Sequence, residues 1–234
     1  MERYSVSRDE SGVKENFQMI SKQTLLMASL SVIMIATGFA STKITALPFN
    51  IATPGTYELT GDLSFPSVVG TPAISISGGL PGPVVIDLNG FAIMGGLTPG
   101  SYCIIVGGAP VSSPITIKNG TIQNFNYGID ANNLTNLTVN KINFLINILR
   151  PFAQSSPMGV EFQNVSASII SNCVFTNYYY NEAVGISDTN SNGGNRYSND
   201  SFVDVQTPLA ISITEFPKPN FLIKDAQFDA SETP

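Results

Sequence analysis

The 234-residue chain contains no histidine and no tryptophan, only two cysteines, and a charged fraction of 12%. Without histidine there can be no Ser-His-acid or Cys-His relay, and the commonest zinc ligand is missing. The two cysteines, Cys103 and Cys173, lack the paired spacing of a structural zinc site. Positive charge is also scarce. Eleven Lys and Arg stand against 17 Asp and Glu, a net charge of −6, which gives nucleic acid or an anionic membrane surface no electrostatic footprint. Helical periodicity is absent as well: apolar residues alternate in short runs broken by Gly, Asn and Pro, as strands do.

What the chain has instead is repetition. VIDLNGF (85–91), TIKNGTI (116–122), TVNKINF (138–144), IISNCVF (169–175), RYSNDSF (196–202) and LIKDAQF (222–228) share one form. Its second position is Ile86, Ile117, Val139, Ile170, Tyr197 and Ile223; its seventh is Phe91, Ile122, Phe144, Phe175, Phe202 and Phe228. Successive copies are 31, 22, 31, 27 and 26 residues apart. A second column runs through Ile74, Ile104, Ile129, Val160, Ile186 and Ile211, and small residues often precede it, as at Ala73, Gly128, Gly159, Gly185 and Ala210. A period of this size made of strands marks the coils of a β-solenoid. Successive coils stack at about 4.8 Å, so like residues stand above one another. Asn119, Asn140, Asn172 and Asn199 fall at the bend, where Asn accepts the left-handed conformation and can form amide ladders. Their registers differ by one, so an Asn-rich bend is expected and not a perfect ladder.

The form in which a Gly-Ile pair is followed by I-x-N-x-x-F resembles the right-handed parallel β-helix of the pectin lyase-like superfamily, over residues 73–228. PFNIATPGTYELTGDL, VIDLNGFAI and ITIKNGTI are similar to bacterial secreted repeat proteins of that class. The resemblance implies an all-β, single-stranded right-handed parallel β-helix of about six coils with an N-terminal cap. On this reading residues 1–40 are a polar leader plus signal peptide, 41–66 the cap segment, 67–230 the helix and 231–234 a tail. Lys22 ahead of the uncharged run 24–40, ending Gly38-Phe39-Ala40, reads as an export signal, with Met19 as a possible true start. Export to the periplasm, the cell surface or the medium follows, with no stable membrane insertion once the signal is cleaved. Cys103 and Cys173 fall in different columns of non-adjacent coils, so two buried free thiols are expected. The short C-terminal end leaves room for self-association through the helix ends.

Coil length varies mainly on the return path from the turn column to the Gly-Ile column, from 12 residues (Ile117 to Ile129) to 21 (Val139 to Val160). Insertions therefore gather at one corner, where loops carry function. That corner receives Tyr127, Phe152, Tyr178, Tyr179 and Tyr180, the candidate carbohydrate-binding residues. Asp130 and Glu161 follow the inward Ile129 and Val160, so they should face outward on adjacent rungs. They are the candidate acids and the candidate Ca²⁺ ligands; no other cofactor is expected. Arg150 is the only base-like arginine near them.

Polygalacturonase-type relatives carry N-T-D-G-[IF]-D, and the matching residues here are Phe125-Asn126-Tyr127-Gly128-Ile129-Asp130, with Tyr127 in the acid's place. Pectate lyase-like relatives place acids where this chain has Tyr127, Met158, Val184 and Leu209. Asp188, Asp200 and Asp204, among Asn and Gly, read as a solvated polar turn. The resulting expectation is a non-catalytic exported protein that binds polysaccharide at the aromatic corner or serves as a surface scaffold. The alternative is a divergent polysaccharide lyase or glycoside hydrolase built on Asp130, Glu161 and Arg150.

Overall fold

Apolar residues at every second position give each short strand one face for the interior and one for water. In Pro72–Ser77 the buried set is Ala73, Ile74 and Ile76, and in Tyr102–Gly107 it is Cys103, Ile104 and Val106. The computed structural model describes residues 40–66, 68–107, 113–146, 156–178, 183–189, 191, 193–212, 222–224 and 227–229. Residues 41–234 form one compact unit. Residues 1–39 of the expected leader and signal peptide lie outside the described residues, as do Arg150, Phe152, Tyr179 and Tyr180. No helix among the described residues is long and apolar enough to cross a membrane.

The described strands form two all-parallel sheets, of thirteen and seven strands, wound as a parallel β-solenoid. In chain order the smaller sheet takes Phe49–Ile51, Pro72–Ser77, Tyr102–Gly107, Tyr127–Thr135, Met158–Ser166, Val184–Thr189 and Thr207–Ser212. Between these, the chain passes through the larger sheet, whose strands include Ile115–Gln123 and Leu137–Leu145. The leading segment joins the same scheme, because Phe49 pairs with Ile74 and Tyr57 with Ile86.

The repeat columns are rungs in register. Ile86, Ile117, Val139, Ile170, Tyr197 and Ile223 are successive Cα partners. So are Ile122, Phe144, Phe175, Phe202 and Phe228. Two members of the sequence columns are corrected. Ile93, not Phe91, pairs with Ile122. Asn89 and Gly90 both take positive φ, 53° and 82°, and Phe91 N–H donates to Leu88 C=O at 2.8 Å. This tight turn adds two residues and pushes Phe91 out of the column. At the other end Leu209, not Ile211, pairs with Ile186. The two lie two residues apart, so an alternating pattern favours neither; the strand begins directly after the corner, where Thr207 N–H donates to Ala183 C=O.

The small residues before the Gly-Ile column have a packing reason. Phe144, Phe175 and Phe202 form one interior stack, with centroids 4.8 and 4.9 Å apart and planes within 6° and 9°. A Cβ at Gly128 would meet Phe144 Cδ1 at 2.9 Å, at Gly159 Phe175 Cδ1 at 2.5 Å, and at Gly185 Phe202 Cε1 at 2.6 Å. In earlier coils the aromatic column holds Ile93 and Ile122, and the facing column holds Ala73 and Cys103. Ring and glycine, or isoleucine and a small side chain, fill similar volume.

The bends behave as expected of Asn. Asn89, Asn119, Lys141, Asn172 and Asn199 occupy the left-handed region, with φ of 53–59°. Asn140 is one residue out of step and instead donates to Ser171 Oγ at 2.8 Å. A second bend stacks Asn164 on Asn133, Nδ2 to Oδ1 at 3.1 Å. Cys103 and Cys173 are buried free thiols.

Candidate functional site

The outward positions of the seven-stranded sheet form three parallel columns. The first runs Pro72, Tyr102, Tyr127, Met158, Val184 and Thr207. The second runs Ser75, Ile105, Asp130, Glu161, Ser187 and Ala210 through the same pairings. The third carries Asn132, Gln163, Thr189 and Ser212. An apolar and aromatic stripe thus lies beside a carboxylate pair, with an amide and hydroxyl row beyond it.

Asp130 and Glu161 are Cα partners on adjacent rungs, as the outward alternation requires. Both are half-buried, and both carboxyls are raised above the ordinary carboxylate range. For Asp130 the cause is burial, opposed by the Asn132 amide that donates to it; for Glu161 it is burial, then repulsion from Asp130. Tyr127 stacks on Tyr102, centroids 4.8 Å apart and planes within 10°. Burial, then Tyr127, Asp130 and Glu161, raise the Tyr102 phenol, so the four side chains share one field. Tyr102 was legible in the repeat: it stands two residues before Ile104, as Tyr127 does before Ile129. Each ring covers one face of the other.

The aromatic corner is only partly joined. Tyr178 is 65% exposed and, among the described residues, has no ring partner. Arg150, Phe152, Tyr179 and Tyr180 lie outside the described residues, so the acid–arginine pairing is not placed. A small apolar crevice at this corner is lined by Ile122, Phe125, Phe144, Leu145, Ile146 and Met158 among others. The described residues contain no group of three or more His, Cys, Asp or Glu able to hold a metal. Asp130 and Glu161 supply two carboxylates where Ca²⁺ takes six to eight oxygens.

The expected solvated turn is corrected. Asp188 and Asp200 are each 1% exposed; only Asp204 is exposed. Asp188 pairs with Phe162 and Ile211 and so occupies an inward column. It accepts from Ser191 Oγ, from Tyr197 OH and from Asn195 Nδ2, the last at 2.9 Å. Asn195 also donates to Val165 C=O and accepts from Ser168 N–H, both at 3.0 Å. Local polarity reads as solvent exposure in the sequence, yet the same side chains satisfy one another inside. Asp200 accepts from Cys173 N–H at 2.9 Å, and its Oδ2 has no partner. Burial raises this carboxyl to about 6. Burial likewise pushes the Cys173 thiol up to about 12, which makes it an inert core residue.

No protein-family model, no curated protein and no solved structure matches the chain.

Proposed function

We propose that this is an exported β-helix protein of pectin lyase-like type that binds polysaccharide without cleaving it, along the outer face of its seven-stranded sheet. The observation that carries the reading is the Tyr102–Tyr127 stack beside the Asp130–Glu161 pair and the Asn132–Gln163 row. An aromatic and apolar stripe suits sugar C–H surfaces, and carboxylates and amides suit sugar hydroxyls. Rungs repeat at about 4.8 Å, close to the length of one pyranose in an extended chain, so neighbouring sugars meet equivalent columns. The positive flank and uncharged run at 22–40 support delivery to the periplasm, the surface or the medium.

One observation favours a second reading, a divergent glycoside hydrolase or lyase. Two neighbouring carboxyls raised above their usual range form the kind of pair from which an acid and a nucleophile are made. A polysaccharide array, with and without Ca²⁺, separates the two when binding and new reducing or unsaturated ends are read together. Binding without new ends is the expected result. New ends lost in Asp130→Asn would install the enzyme reading, and silence in both channels would leave a surface scaffold that associates through its ends.

A further inference from the structure

We infer that the glycan taken by this face carries free amino groups, with ammonium seated against Asp130 and Glu161: an amino-sugar polymer and not a polyuronate. The inference rests on the carbohydrate-binding reading of the face and names its ligand class.

The argument is one of charge placement. None of the seven strands of the smaller sheet contains a Lys or Arg. The strand cations that are described, Lys43, Lys118, Lys141, Arg196 and Lys224, all belong to the larger sheet. There Glu58 is paired with Lys43, and Asp87 with Lys118 at 3.1 Å. On the outward columns of the smaller sheet the carboxylates are Asp130 and Glu161, and no cation among the described residues forms an ion pair with them. A uronate chain would bring its own carboxylates, one per sugar, against this pair in a half-buried setting where like charges repel strongly. A neutral chain would bring the pair no charge beyond what the described residues supply. A chain with ammonium groups brings positive charge and hydrogen-bond donors to the pair, while its ring C–H surfaces lie along Tyr102, Tyr127 and Met158. Asn132 donates to Asp130 and so holds one of the two acceptors in place.

The test measures binding of the purified full chain to a de-N-acetylated glucosamine oligomer, its fully N-acetylated counterpart and an oligogalacturonate. The amino oligomer should bind at least tenfold more tightly than the N-acetylated one, with no binding of the uronate. The Asp130→Asn/Glu161→Gln double variant should abolish that preference and keep residual binding of the N-acetylated oligomer. A charge-matched control, Glu58→Gln/Asp204→Asn, should keep the preference; if it loses it equally, the effect is bulk charge and the inference fails. Equal or tighter binding of the N-acetylated oligomer or the uronate overturns the amino-sugar assignment and leaves the polysaccharide reading standing. Failure of all three oligomers, with positive hits on no other glycan, overturns both.

Discussion

Asp188 and Asp200 lie in the same coil, are equally buried at 1% exposure, and differ in what surrounds them. Asp188 replaces an apolar rung but receives three side-chain donors, from Ser191, Asn195 and Tyr197. Asp200 follows Cys173 in its column, is served only by backbone N–H groups, from Cys173 at 2.9 Å and from Ser198, and leaves Oδ2 without a partner. Burial alone therefore does not set the consequence of a carboxylate in a solenoid core; the count of donors does. The satisfied aspartate ties Val165, Ser168, Asn195 and Tyr197 into one register-fixing network. The under-satisfied one is a standing cost, visible in a carboxyl raised to about 6.

The largest effect should come from Asp188→Ala. It strands three buried donors at about 1–3 kcal/mol each, so a loss on the order of 4 kcal/mol in denaturant unfolding is expected. Asp200→Ala should cost less, since the Cys173 and Ser198 N–H groups lose an acceptor while a disfavoured charge disappears. Equal losses in the two variants would break the distinction drawn above.

Asp200→Asn should act in the opposite direction. Its folded carboxyl is raised from 3.8 to about 6, so the folded state binds the proton more tightly than the unfolded chain. That contribution is fully present below the unfolded value and is lost as pH rises through about 6. The ionised form then costs the fold about 3 kcal/mol at pH 8. An amide keeps the acceptor for Cys173 N–H without the charge. The variant should therefore be more stable than the parent at pH 8 by up to that amount and equal to it near pH 3. A pH-independent difference between the two would assign the effect to packing instead.

Gly159→Ala measures the apolar side of the same core. Its new Cβ would stand 2.5 Å from Phe175 Cδ1, in a ring held on both faces by Phe144 and Phe202. Overpacking of this kind costs about 1–3 kcal/mol. If thermal unfolding shows a larger loss here than in Asp188→Ala, ring packing outweighs the polar network in fixing the coils.

The columns were legible because a parallel solenoid writes its register directly into the sequence. Ile117, Val139 and Ile170, or Phe144, Phe175 and Phe202, each occupy one rung, and spacing alone found them. The outward pair Asp130 and Glu161 followed from the same alternation. Legibility failed where local chemistry changes the residue count or hides the environment. The two positive φ values at Asn89 and Gly90 moved the aromatic rung from Phe91 to Ile93, and a period-2 strand could not choose between Leu209 and Ile211. Asp188 read as solvated because its donors, Ser191 and Asn195, are the residues that also make turns. Its burial depends on Phe162 and Ile211 standing on either side, which is a property of stacked coils and not of one segment.

The smallest expected effect tests the same matching of residue to rung at the surface. In the bend column Asn89, Asn119, Asn172 and Asn199 all take the left-handed conformation, and Lys141 does so with φ of 56°. Lysine pays a steric cost there that Asn and Gly largely avoid. Asn at this rung would also extend amide contacts of the kind in which Asn199 Nδ2 donates to Asn172 Oδ1 at 3.4 Å. Lys141→Asn should therefore stabilise the fold by about 0.5–1 kcal/mol, a shift of a few degrees in thermal unfolding. Lys141→Gly relieves the strain but provides no amide, and it loosens the unfolded chain. The order of stability should be Asn above Gly, with Lys lowest or level with Gly. Should Lys prove the most stable of the three, the side chain contributes something at this bend that outweighs the backbone strain, and the bend column is set by more than conformational preference.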